Sequence, residues 1–309
     1  MVKITEINYP NFGRCVEVSN GTIEFVATLD MGAPNIIRFG FVGGENEFFE
    51  DINKVGILDT PELREKFESN EGWWIMGGHR LWNSPEAAPR TYYPANSPVK
   101  CEEIPNGVRL IPPPQKWTNL QNQIDIMITD DNQVEVIHRI TNVGAYPAEF
   151  AVWALSVMAQ GGLEIVPVPK KDSGFLGNCW IGLWSYTKMN DERVYWGDKY
   201  ITVKQDPNAD CAFKFGISSE HGWAAYLNHG NMFVKYFDVD GKNYPDNGMN
   251  YETYTNPHFL EVESLGELKS VEPGETVSHK ETWQLFKDVS RPTCDNEAEI
   301  AEIVKKYVK

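Results

Sequence analysis

The chain has 309 residues, 41% hydrophobic and 12% aromatic, and carries a net charge of −16. That length can bury a substantial core without staples, and so acidic a surface repels nucleic acid and anionic membranes, so neither is expected as a partner. The cysteines, Cys15, Cys101, Cys179, Cys211 and Cys294, show no Cys-x-x-Cys pair, which points to reduced thiols in a cytoplasmic protein rather than a disulfide framework or zinc site.

The N-terminus, Met1 to Glu6, has no positive region followed by an apolar one, so no secretory signal is expected. No apolar run approaches the roughly 20 residues that span a bilayer. Ile23 to Leu29 predicts a strand. Thr60-Pro61-Glu62 predicts the start of a short helix, with proline at its first position. The Pro112-Pro113-Pro114 cluster reads as a rigid loop, because hydrophobic alternation resumes soon after it. Ile124, Ile126 and Ile128 alternate up to Asp130-Asp131-Asn132, and Val134 and Val136 continue on the return, which is a hairpin pattern. Trp223 to Leu227, Asn228 to Asn231 and Met232 to Phe237 predict a second hairpin. Glu272-Pro273-Gly274-Glu275 is a turn before Val277, His279, Glu281, Trp283 and Leu285, which share one strand face at period two. At the C-terminus Asn296 and Glu299 have capping-box spacing, and Ile300, Ile303, Val304 and Tyr307 follow the helical period, with Lys305, Lys306 and Lys309 at the end where the dipole favours cations. This helix is expected on the outside of a β-sandwich. Many strands, few helices and no linker predict one all-β domain over residues 1–309, built as a large antiparallel sandwich with a few short peripheral helices and a C-terminal helix.

Two stretches stand out for chemistry. Residues 73–93 read WWIMGGHRLWNSPEAAPRTYY. Gly77 and Gly78 allow close approach of backbone to a ligand, and His79-Arg80 puts a titratable donor beside a fixed cation. If the stretch is extended, only one of His79 and Arg80 can face a given ligand. Residues 251–268 read YETYTNPHFLEVESLGEL, placing Glu261 and Glu263 on one face and Leu260 and Val262 on the other. Two carboxylates at that spacing in a partly buried cleft would raise at least one pKa and make a general base near neutrality. On spacing alone, an ordinary solvated strand face for the second stretch, and a loop histidine with the arginine paired to a surface carboxylate for the first, fit better than a site. Glu252 lies on the approach to this strand. Lys235 shares a face with Phe233 and Phe237, either lining a site or snorkelling from an apolar surface. No histidine pair has metal-ligand spacing, and nucleophile elbows, P-loops and dinucleotide fingerprints are absent, so neither metal nor cofactor is expected. The ten tryptophans suit a sugar ligand, whose flat C–H faces stack on rings, although core filling is expected to account for most of them.

Several segments together resemble the galactose mutarotase-like superfamily, and within it the aldose 1-epimerase-related bacterial proteins. They are residues 36–46 (IIRFGFVGGEN), 77–82 (GGHRLW), 153–158 (WALSVM), 244–246 (YPD), 260–263 (LEVE) and 273–275 (PGE), spread over nearly the whole chain. The resemblance implies the large supersandwich fold and cofactor-free interconversion of sugar anomers. On the matching motifs it implies Glu261 as base, Arg80 as a contact to sugar oxygens and His79 as a neighbouring donor. Trp82, Trp153, Lys235, Glu252 and Glu263 are the accompanying candidates for binding a small sugar or short glycan. The chain departs from the family pattern at its mid-chain Asn-His-x-Tyr-Phe motif. The comparable regions, 141–144 (TNVG) and 151–155 (AVWAL), contain no histidine. That leaves His79 as the proposed acid and keeps open a binding protein without catalysis. Glycosidic cleavage by Glu261 and Glu263 is the least expected reading, because paired glycosidase carboxylates flank the scissile bond.

Overall fold

The computed structural model describes residues 1–32 and 34–309. Two large sheets, antiparallel throughout, face each other across a common core. The front sheet runs in the order Lys3–Tyr9, Gly13–Ser19, Ile23–Thr28, Ile36–Phe41, Gly78–Ser84, Ala148–Met158, Leu260–Leu265, Tyr251–Thr255, Phe213–Ile217, Ile181–Leu183. The back sheet runs Val194–Trp196, Tyr200–Lys204, Leu163–Pro167, Trp223–Asn228, Asn231–Phe237, Thr276–Phe286, Gln133–Asn142, Leu120–Ile128, Gly107–Ile111, Lys100–Ile104.

The predicted elements form where the patterns place them. The Ile124–Val136 hairpin pairs Ile126 with Val136, and the Trp223–Phe237 hairpin pairs Ala225 with Val234. The predicted face of the Thr276–Phe286 strand turns inward for His279, Glu281 and Trp283, which are buried. Trp283 meets Phe39, Phe48 and Phe233 with ring centroids 5.5–6.0 Å apart, joining the two sheets. An aromatic core residue of this kind is worth about 3–5 kcal/mol against alanine.

The helices lie at the periphery. Pro61–Phe67 is capped by Thr60, whose hydroxyl accepts from the Leu63 amide at 3.2 Å, and ends at Glu68 in the left-handed region (φ 50°). Glu297–Tyr307 is capped by Asn296, whose side chain accepts from the Glu299 amide at 3.3 Å. Its Ile300 packs with Ile165, Trp223 and Ala225 on the outer face of the back sheet. Among the described residues no helix is long and apolar enough to cross a membrane.

Candidate functional site

The outer face of the front sheet carries a cavity of about 680 Å³. Its floor is made by alternate residues of adjacent strands, because period-two geometry sends them to the same side. Gly78–Ser84 contributes Arg80 and Trp82, Ala148–Met158 contributes Trp153 and Leu155, and Leu260–Leu265 contributes Glu261. Tyr254 and Lys214 come from Tyr251–Thr255 and Phe213–Ile217. The register places Trp82 beside Trp153, Arg80 beside Leu155, and Tyr254 beside Glu261. Trp73, Glu86, Tyr92, Trp184, Tyr186 and His258 complete the walls.

Arg80 and Glu261 form an ion pair at 2.8 Å, with side chains only 4% and 8% exposed. The guanidinium lies 4.3 Å from the Trp82 ring centroid and 5.8 Å from that of Trp73. Arg80 Nε and Nη1 are buried without a hydrogen-bond partner among the described residues. Lys214 makes the second polar centre. Its Nζ lies 2.7 Å from Glu252 Oε2 and 3.2 Å from Glu263 Oε2, and 4.7 Å and 4.6 Å from the Trp153 and Trp184 rings. The Trp153 indole N–H donates to Glu263 Oε2 at 2.9 Å.

Burial pushes the Glu263 carboxyl up to about 7 against the pull of Lys214, with Glu261 adding to the rise. Glu252 is raised well above the usual carboxylate range for the same first cause. Burial opposes the Lys214 charge, but Glu263 and Glu252 outweigh it and hold the lysine pKa above its ordinary value. One ammonium above two carboxyls leaves room for a proton on the pair near neutrality.

The sequence candidates separate by face. Arg80, Trp82, Trp153 and Glu261 line the cavity. Glu252 and Glu263 lie beneath Lys214, 1% and 0% exposed in the side chain, and are not part of the lining. Glu263 therefore does not flank a common bond with Glu261. His79 and Lys235 project to the opposite side, into the space between the sheets. The Gly78–Ser84 strand is extended, so Arg80 faces the cavity and His79 cannot. Lys235 follows Phe233 and Phe237 into the core, where it is fully buried.

Between the sheets these two belong to a closed polar network. Lys235 Nζ contacts Glu281 Oε1 at 2.8 Å and donates to the carbonyls of Val262 (2.9 Å) and Ala154 (3.3 Å). Ser264 Oγ donates to Glu281 Oε1 at 2.6 Å, and Trp283 Nε1 to Oε2 at 2.8 Å. The His279 carbonyl can only accept, so His138 bears its proton on Nδ1, 3.1 Å away. His138 Nε2 then accepts from His79 Nε2 at 2.7 Å, and His79 Nδ1 accepts from Ser156 Oγ at 2.9 Å. Burial holds the His79 pKa well below its usual value. Ligand atoms of His79, His138 and Glu281 lie within 4.8 Å of one another. The two imidazoles share a proton, however, and the Lys235 ammonium already takes the carboxylate, so the donors are spent on each other.

Gly77 and Gly78 serve the backbone rather than a ligand. Both have positive φ (94° and 66°), and a Cβ would stand 2.0 Å from the Phe49 carbonyl oxygen or 2.1 Å from that of Ile36. Their freedom lets the strand enter the sheet tightly and present Arg80.

Sequence reasoning missed Lys214, Trp184, Tyr186, Tyr254 and His258. Lys214 had a legible signal: Phe213 and Phe215 flank it on the opposite face, so packing them inward sends the lysine outward. The others come from connections or from strands whose neighbours only the sheet order reveals. His258 sits in a turn where the Asn256 side chain accepts from the amides of His258 (2.7 Å) and Phe259 (3.1 Å).

No family model matches the sequence, and no curated protein matches it. Solved structures do share its architecture. A candidate aldose 1-epimerase from Klebsiella pneumoniae superposes with a TM-score of 0.62 at 14% identity, covering 99% of this chain and 86% of its own. A galactose mutarotase-like protein from Lactobacillus casei gives 0.55 at 10% identity, covering 88% and 99%. A TPR-domain containing protein from Parabacteroides distasonis gives 0.61 at 9% identity over 93% of this chain and 54% of that one. At these identities the likeness speaks for the architecture, and the chain has the galactose mutarotase-like β-sandwich fold.

Proposed function

We propose that the cavity binds a sugar and that the chain is an aldose 1-epimerase-like isomerase. The observation that carries this reading is the Glu261 carboxylate on the cavity floor, held by Arg80 and walled by Trp82, Trp153 and Tyr254. The rings suit the C–H faces of a pyranose, and the ion pair suits its hydroxyls. The candidate aldose epimerase and the mutarotase-like protein of the same fold are consistent with it.

In this reading Glu261 takes the proton of the anomeric hydroxyl. The ring C–O bond breaks as an aldehyde forms, and the ring oxygen receives a proton from His258, the imidazole in the cavity wall. Rotation of the aldehyde and reversal of the two transfers give the other anomer, so no cofactor enters. The test is equilibration of freshly dissolved α-aldoses by polarimetry and anomer exchange by NMR. Acceleration that falls about 10²–10⁴-fold in Glu261→Gln supports the reading. No acceleration across a panel of aldoses defeats it.

The position of His79 behind the sheet, with His258 at an exposed rim, favours a second reading, a carbohydrate-binding protein without catalysis. Saturable sugar binding with no anomer exchange would select it.

A further inference from the structure

The cavity contains two separate polar centres. Arg80 enters from Gly78–Ser84 and Lys214 from Phe213–Ile217, four steps away in the strand order, and they reach Leu260–Leu265 from its two sides. Each cation reaches a different carboxylate of Leu260–Leu265, Arg80 meeting Glu261 and Lys214 meeting Glu263. Those two positions stand about 6.5–7 Å apart along the strand. Each centre also has its own ring: Trp82 lies 4.3 Å from the guanidinium, and Trp184 lies 4.6 Å from the ammonium.

One ring to stack on and one charged pair for hydroxyls are enough to hold a single pyranose, and one such centre supplies both. The second centre is as fully built as the first. Trp184 is held against the sheet by Thr187, whose hydroxyl donates to the Lys214 carbonyl at 2.7 Å and accepts from the Lys214 amide at 2.9 Å. Size agrees. Sites for drug-sized ligands run from about 300 to about 1,000 Å³, and a cavity of about 680 Å³ is ample for a ligand larger than one hexose.

We propose that the cavity holds two linked sugar units, a disaccharide or the reducing end of a longer glycan. The reducing unit lies over Arg80 and Glu261, and the neighbouring unit lies against Lys214 and Trp184. This inference rests on the sugar-binding reading and narrows it to glycans rather than free monosaccharides.

Isothermal titration decides it, with glucose, galactose and mannose set beside maltose, cellobiose, lactose, galactobiose and mannobiose. The expected result is at least one disaccharide bound about tenfold or more tightly than its own reducing-end monosaccharide. Trp184→Ala, a half-buried wall residue, should then cut the disaccharide affinity far more than the monosaccharide affinity and bring the ratio towards one. Tyr186→Ala should act in the same direction if Trp184→Ala fails to fold. Disaccharides no tighter than their monosaccharides, or a variant that weakens both equally, overturn the two-unit proposal while leaving sugar binding standing. No binding by any member of the panel removes the sugar reading as well.

Discussion

The two faces of the front sheet each bury a cluster of charged groups, and the clusters differ in how completely they satisfy themselves. Behind the sheet, Lys235, Glu281, His79, His138, His279 and Ser264 form a chain in which every buried side-chain donor and acceptor has a partner. In front, Arg80 Nε and Nη1, Glu263 Oε1 and Glu252 Oε1 have none among the described residues. Both clusters contain histidine or lysine beside glutamate, so residue type does not tell them apart. Hydrogen-bond satisfaction does. A network that completes itself fixes two sheets against each other, whereas the open nitrogens of Arg80, which lines the cavity, are available to what enters it.

The largest effect expected of the difference is on stability. Lys235→Met leaves the Glu281 carboxylate buried without its ammonium and should cost about 3–5 kcal/mol in urea unfolding. A loss under about 1 kcal/mol would mean that the rear network is not the brace described. Glu261→Gln should do the reverse. It keeps an acceptor for Arg80, so unfolding should shift by no more than about 1–2 kcal/mol, while anomer exchange collapses. A variant that lost both together would erase the contrast between the faces.

Acidity should separate Glu263 in front from His279 behind by sign. Burial raises Glu263 to about 7 from 4.5, so the folded state holds a proton that the unfolded state has lost. Its contribution to stability is full below pH 4.5 and is lost as pH rises towards 7. Burial lowers His279 to about 3 from 6.5, so its contribution is full above pH 6.5 and is lost as pH falls towards 3. In melting curves against pH, Glu263→Gln should flatten part of the loss above pH 4.5, and His279→Gln part of the loss below pH 6.5. Glu164, raised by burial to about 8, adds to the first limb, so that flattening is incomplete. Curves that keep their slopes in both variants would assign the titrations elsewhere. The smallest effect is expected of Trp153→Phe. It removes one N–H to Glu263 and one of the two fused rings of a buried indole, and should cost about 1–2 kcal/mol, with disaccharide binding changing more than unfolding does.

The short-range patterns carried the fold far. The two hairpins, the Thr60 and Asn296 caps and the inward face of the Thr276–Phe286 strand follow from local residues, because turns, caps and period-two alternation are local physics. The resemblance in segments such as 77–82 and 260–263 extended this to the whole sandwich. The site was legible in part. Arg80, Trp82, Trp153 and Glu261 stand together in the cavity, yet nothing local distinguished them from His79 or Lys235.

Lys214 and Lys235 show why. Each lies among phenylalanines in a strand, Phe213-Lys214-Phe215 and Phe233-Val234-Lys235-Tyr236-Phe237. In the first the aromatics face the core and push the lysine into the cavity; in the second lysine and aromatics face the core together. The sequence by itself determined which residues share a face, since neighbouring side chains alternate along any strand. Only the tertiary structure decided which face is covered by the second sheet and which is left as a floor. That depends on strands far apart in the sequence coming into register: Leu155 of the Ala148–Met158 strand sets Arg80 level with Glu263, and so within reach of Glu261 two residues before it.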